Sequence, residues 1–210
     1  MVSSEQGTQF DANKFKELVV FVCTKAAPDR LGAVKLHKIL YYADMLYYVM
    51  SGHPITGATY RKRPLGPTAD QLLRYQRELV NEGALSVSNV SYFGFVKKQY
   101  EANRQPDLAR FNGEEIKLVD DVIAFVCNES AKSISELSHN LAWESTPSGS
   151  IIPYYSAFLM FPNQVPESAF EWAADEAQSV EAEKQRRSPM DYPVLGDFRD
   201  RLLRESKTPL

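Results

Sequence analysis

Residues 35–52 read KLHKILYYADMLYYVMSG, and no other part of the chain makes such strong physical demands. Apolar and aromatic side chains fall at Leu36, Ile39, Leu40, Ala43, Leu46, Tyr47 and Met50, the i, i+3, i+4, i+7 recurrence of a helix. Tyr41, Tyr42, Met45, Tyr48 and Val49 coat much of the side that would otherwise be wet. A helix apolar nearly all round must be covered on several sides, so the spacing predicts a central helix. Gly52 is placed to end it in the left-handed conformation, and His53-Pro54 prevents its continuation. Buried tyrosines need partners for their hydroxyls, and Asp44 is an acceptor for a tyrosine or a basic residue. Two readings stay open for Tyr41, Asp44, Met45 and Tyr48: interior positions, or the edge of an aromatic partner-binding groove.

At 210 residues the chain suits one domain with an appendage, or two small domains. A net charge of −3 gives no global drive toward nucleic acid or anionic membrane. The apolar runs fall far short of the roughly 18 residues of a membrane span, and residues 1–10 lack a hydrophobic signal core, so a cytoplasmic protein is expected. The two cysteines, Cys23 and Cys127, lie inside apolar helical segments and read as small buried hydrophobes, with no disulfide framework or metal knuckle.

Residues 1–10 are polar and expected to be loose. Asp11 then caps a helix to about Ala26, with Phe15, Leu18, Val19 and Val22 on one face. After the central helix, 54–68 reads as extended chain with a short edge strand at 58–63. Thr68 is placed to cap a helix running to Glu82. Alternation over 85–100 predicts a hairpin that turns at 88–91. Asn112 opens a helix striped by Ile116, Val119, Ile123, Val126 and Cys127. Ser133 or Ser135 opens a shorter one over 134–142, where Ser133 and Glu136 fit a capping box. Residues 166–187 read as a polar helix, and Phe198, Leu202 and Leu203 mark a last amphipathic one. The whole is a predominantly helical α+β chain: a compact domain over 11–163 around the Tyr-rich helix, with a small β-hairpin, and a helical extension over 164–210.

KLHKILYYADMLYYVMSGHPI followed by PLGPTADQLL resembles the Panacea domain of SocA-like bacterial antitoxins. The correspondence rests on Lys35, Leu36, Lys38, Leu40, Tyr41, Ala43, Asp44, Tyr47, Gly52, Pro54, Gly66 and Pro67. A second similar segment, ELSHNLAWE with IIPYYSA after it, supplies Leu137, Ser138, His139, Trp143, Ile152, Pro153, Tyr154 and Ala157. Thr68 after Gly-Pro and His37 inside the opening motif depart from the pattern and bear on which surface is presented. The resemblance implies a non-enzymatic antitoxin of a toxin–antitoxin or prophage-defence system. It would bind a toxin encoded by an adjacent gene, or act as a proteolytic adaptor that hands its toxin to an ATP-dependent protease. It implies fold-specifying roles for Lys35, Leu36, Gly52, Pro54, Gly66, Pro67, His139, Trp143, Pro153 and Tyr154.

The residues themselves give enzyme chemistry little purchase. His37, His53 and His139 lack helical ligand spacing, and no Gly-rich phosphate loop occurs, so neither metal nor cofactor is expected and a small hydrolase is the weakest reading. Arg61-Lys62-Arg63 is the densest basic cluster, read either as a solvated edge or as a partner contact, with nucleic acid the lesser option. Candidate partner-binding residues are Tyr41, Asp44, Tyr48, Arg61, Arg63, Phe198, Leu202 and Leu203, the last three in an arm that would order on the partner.

Overall fold

The computed structural model describes residues 9–92 and 94–160. Helix α1 (Ala12–Lys25) starts at Asp11, whose side chain accepts from Lys14 N–H at 2.9 Å. Helix α2 (Ala33–Ser51) is the predicted central element and ends at Gly52 with φ 77°, the left-handed cap that a residue without Cβ adopts at least cost. From Leu36 to Tyr47 every residue of α2 but His37 is buried. That burial takes contacts on all sides: α1, α4 (Gly113–Asn128), α5 (Ala131–Leu137), the strand pairs and a 3-10 helix (Tyr154–Met160) all touch it.

Two small sheets complete a predominantly helical α+β fold. β1 (Tyr60–Arg61) lies between β2 (Thr68–Ala69) and β5 (Ile151–Ile152), antiparallel to both. β3 (Leu85–Tyr92) and β4 (Phe95–Ala102) form a hairpin whose base, with Leu85 and Tyr100 buried, packs on α1 and α3 (Leu72–Asn81). The α1 and α4 layers are tied by Lys14 to Glu115 at 2.6 Å. Glu115 also closes the capping box at Asn112, whose amide donates to the Tyr47 hydroxyl at 2.8 Å. One capping motif thus fixes α4 against both α1 and α2.

Several boundaries differ from those the sequence predicts. Thr68 belongs to β2 and caps nothing; α3 starts at Leu72, and the Gln71 side chain before it pairs instead with Thr59. The predicted edge strand is confined to 60–61 and is the central strand of its sheet, paired on both sides. The hairpin pairs as far as Tyr92 with Phe95, with Ser88 paired to Gln99, and Gly94 (φ 81°) supplies the left-handed residue a tight turn needs. The cap of α5 is Ser130, which accepts from Ser133 N–H at 3.0 Å. Ser135 instead donates to the Leu65 carbonyl at 3.0 Å. The extension over 164–210, including Phe198, Leu202 and Leu203, lies outside the described residues.

Candidate functional site

Asp44 is wholly buried at the middle of α2. Its carboxylate accepts from Thr56 N–H at 2.7 Å and from the Thr56 hydroxyl at 2.6 Å. The phenols of Tyr60 and Tyr154 lie 2.8 and 3.3 Å from its Oδ2. Each phenol has one proton and a competing acceptor, the Leu40 carbonyl at 2.7 Å for Tyr60 and the Ala58 carbonyl at 2.6 Å for Tyr154. Burial therefore outweighs these bonds and raises the Asp44 carboxyl above its ordinary range. The expectation that Asp44 takes a tyrosine hydroxyl is met. The expectation that Tyr41 and Asp44 touch a partner is not: both have 0% exposure, because α2 is enclosed where a groove was one of the readings.

A second buried polar group stands one face further round. Lys38, 1% exposed, donates from Nζ to the Pro67 carbonyl at 3.0 Å. Gly66 (φ 89°) passes so close that a Cβ there would stand 2.5 Å from Lys38 Nζ and closer still to Ser138 Oγ. Ser138 is held by the Ser135 carbonyl at 2.6 Å. The Gly66-Pro67 turn is thus clamped between α2 and the end of α5. Desolvation pushes the Lys38 ammonium down to about 7. Beside it, burial and the neighbouring lysines lower His37 to about 4, so its neutral Nδ1 accepts from Ala69 N–H at 3.1 Å.

A folded-state value below the unfolded one means that the unfolded chain binds a proton first as pH falls. The stability that Lys38 contributes above the ordinary lysine range is lost on the way down to its folded value. Relative to Lys38→Met, the wild-type chain in chloride buffer should gain about 3 kcal/mol between about pH 7 and about pH 9.5. Urea unfolding of both proteins across that range measures it; parallel profiles would mean that Lys38 stays charged and paired in the fold.

At the surface, the basic cluster is largely engaged. The Arg61 guanidinium forks onto Asp70 at 2.8 to 3.2 Å and donates to the Gly149 carbonyl at 2.8 Å. Lys62 Nζ lies 4.0 Å above the Trp143 ring and donates to the Glu144 carbonyl at 3.1 Å. Arg63 is exposed, and its carbonyl accepts from Trp143 Nε1 at 3.3 Å. The other face of Trp143 is stacked on His139, 3.9 Å between centroids at 14°. His139 and Trp143 thus form the ordered corner from which α6 (Leu141–Glu144) emerges.

The other motif residues are structural contacts. Lys35 Nζ donates to the Cys127 carbonyl at 3.2 Å, Leu36 is in the core, and Pro54 is half-buried after the Gly52 cap. Pro153 accepts from both the N–H and the hydroxyl of Ser156, at 3.0 and 2.6 Å, which starts the 3-10 helix. Cys23 is buried with its thiol raised to about 12, unsuited to nucleophilic work. Among the described residues no three His, Cys, Asp or Glu side chains stand together as metal ligands, and no helix is long and apolar enough to cross a membrane.

One surface escaped the sequence reading. Leu141, Ile151, Tyr155, Phe158 and Leu159, 42 to 66% exposed, all come from the stretch 141–160. Half-buried Tyr48 joins them, its ring 5.6 Å from Tyr154 and 6.2 Å from Phe158. The 3-10 helix is apolar on both sides: Ala157 and Met160 point into the core while Tyr155, Phe158 and Leu159 point out. The one trace of it in the sequence is an excess of apolar residues over those a half-buried helix needs, which does not say which of them face out.

Against known proteins, a family model described as "Antitoxin SocA-like, Panacea domain" matches residues 36–144. No curated protein and no solved structure matches the chain.

Proposed function

The chain belongs to the SocA-like antitoxin family with a Panacea domain, whose model covers just over half of it, and from that premise we propose that it neutralises a protein toxin by binding it directly. The observation that carries the reading is the apolar ridge of Tyr155, Phe158 and Leu159 beside Tyr48. Scattered single apolar residues are normal on a surface, whereas a run of aromatic and aliphatic side chains from one short segment marks an interaction site. The ridge stands on a rigid base, because Tyr154 in the same helix is anchored to Asp44 and Ala58. It also lies beyond residue 144, outside the stretch that matches the family. A surface that must differ with the toxin is expected there, not in the shared core.

On this reading Tyr48 and Arg63 lie at the margin of the contact, and Arg61 shapes the surface through Asp70 without reaching the toxin. The toxin would be encoded in the adjacent reading frame, and neutralisation would be occlusion by a surface already formed. The arm over 164–210, with Phe198, Leu202 and Leu203, is the natural second contact, and toxin and antitoxin would meet in the cytoplasm.

Co-expression with the adjacent reading frame tests this. The neighbour alone should arrest growth, and this chain should rescue it in a complex that co-purifies. A Tyr155→Asp, Phe158→Asp double variant should keep its circular dichroism and melting temperature yet weaken the complex about a hundredfold, the size of losing a central aromatic contact. A harmless neighbour sinks the toxin assignment; full rescue by the double variant sinks the ridge as the surface.

A further inference from the structure

We propose that Lys38, Tyr41, His139 and Asn140 form a binding site for a single carboxylate group. Lys38 and Tyr41 stand one turn apart on the same face of α2. Ser138, next to His139 and Asn140, shares with Lys38 the space against Gly66. The Asn140 side chain faces the Tyr41 hydroxyl, and His139 is close enough to Lys38 to feel its charge. Chain from α2 and from the α5–α6 corner therefore converges on one spot.

Apart from His139, whose neutral ring donates or accepts through Nε2 according to its tautomer, the hydrogen-bond inventory there is one-sided. Lys38 has three N–H donors and a single acceptor, the Pro67 carbonyl. The Asn140 Oδ1 accepts from Trp143 N–H as the cap of α6, which fixes the amide so that Nδ2 faces inward. That Nδ2 and the Tyr41 hydroxyl interact with each other without a well-formed hydrogen bond, and His139 Nε2 has none either, although buried polar atoms are nearly always bonded. Among the described residues no Asp or Glu forms an ion pair with Lys38. The Asp44 oxygens are taken up by Thr56, Tyr60 and Tyr154.

What is missing is a group that only accepts, carries negative charge and offers two oxygens to divergent donors. A carboxylate does all three. Water satisfies the donors and leaves the ammonium uncompensated; an apolar group does neither. The lowered Lys38 value is that of an ammonium without a counter-charge, and a bound carboxylate reverses it. Lys38 and Tyr41 form the floor of the site, while His139 and Asn140 are half-buried and Leu141 after them is exposed, which places the entrance at the α5–α6 corner.

The test is an NMR titration of the full chain, uniformly labelled with 13C and 15N, with sodium formate against sodium chloride at equal ionic strength. Formate should raise the Lys38 ammonium pKa by about one unit or more and shift the Tyr41, His139 and Asn140 signals. Lys38→Met should abolish the response. Tyr41→Phe, which keeps the ring and its packing, should weaken formate binding about tenfold, as for a lost hydrogen bond to a charged group; it reads the site even if Lys38→Met fails to fold. N-acetylglutamate amide is the second probe. Binding of formate alone assigns the site to a free small carboxylate, and binding of both assigns it to an acidic side chain. An equal response to chloride, the mark of a site for any anion, overturns the proposal, as does a Lys38 that titrates unchanged in formate, which leaves a site for water.

Discussion

Asp44→Ala should lower the stability of the fold by about 4 kcal/mol, as expected when several buried donors lose their acceptor at once. The alanine removes the partner of Thr56 N–H and of the Thr56 hydroxyl, and the carboxylate beside the Tyr60 and Tyr154 phenols, which are left with the Leu40 and Ala58 carbonyls. These groups come from the chain after α2, from β1 and from the 3-10 helix. The loss is therefore spread over three elements that Asp44 holds to the central helix. In thermal unfolding it should appear as a drop of about 10 °C for a chain of this size. Asp44→Asn keeps an uncharged acceptor and should cost less. The carboxyl is raised above its ordinary range by burial, so the stability it contributes is complete in acid and declines as pH rises through its folded value. The asparagine variant should lack that decline. A melting temperature unmoved by alanine would show that water enters and takes over the carboxylate's bonds.

How much of this was legible in advance depends on what each kind of signal encodes. Periodicity placed α2, its glycine cap and its central position, because a helix apolar all round has one stable environment. It also pointed to Asp44 as a tyrosine acceptor. It did not tell whether Tyr41 and Asp44 faced a groove, since the same composition serves a buried helix and an aromatic surface, and only the packing of the 3-10 helix and β1 decides. Turn and cap positions moved by a few residues because several Ser and Thr compete locally for each role. Ser130 wins the α5 cap because Ser133 and Ser135 have partners of their own, Glu129 and the Leu65 carbonyl. The motif singles out Lys38 without saying that it is buried, although a lysine surrounded by Leu36, Ile39, Tyr41 and Tyr42 is itself a sign of an enclosed cation. The exposed ridge was hidden because Tyr155, Phe158 and Leu159 sit among core residues of the same composition, and sequence does not rank apolar side chains by which side of a short helix they take.

Gly66→Ala should cost about 4 kcal/mol, from two separable causes. The first is conformational: φ is 89°, which residues with a Cβ adopt only under strain. The second is the close approach of Lys38 Nζ and Ser138 Oγ to where that Cβ would stand. Neither neighbour has a free direction to move. Ser138 is fully buried and bonded to the Ser135 carbonyl, and Lys38 is bonded to Pro67 in the same turn. Gly52 supplies the control: its φ is 77°, yet nothing lies within 4 Å of its missing Cβ. Gly52→Ala should therefore cost only about 1 kcal/mol, the strain alone. Urea unfolding of the two variants separates the causes, and adding Ser138→Ala to Gly66→Ala should recover part of the loss by clearing the nearest obstacle. If both glycine variants cost the same, the 66–67 turn relaxes away from α2, and Lys38 does not hold it there. A larger loss at Gly66 that Ser138→Ala partly reverses would instead make the clamp between α2 and α5 the reason a glycine stands at this turn.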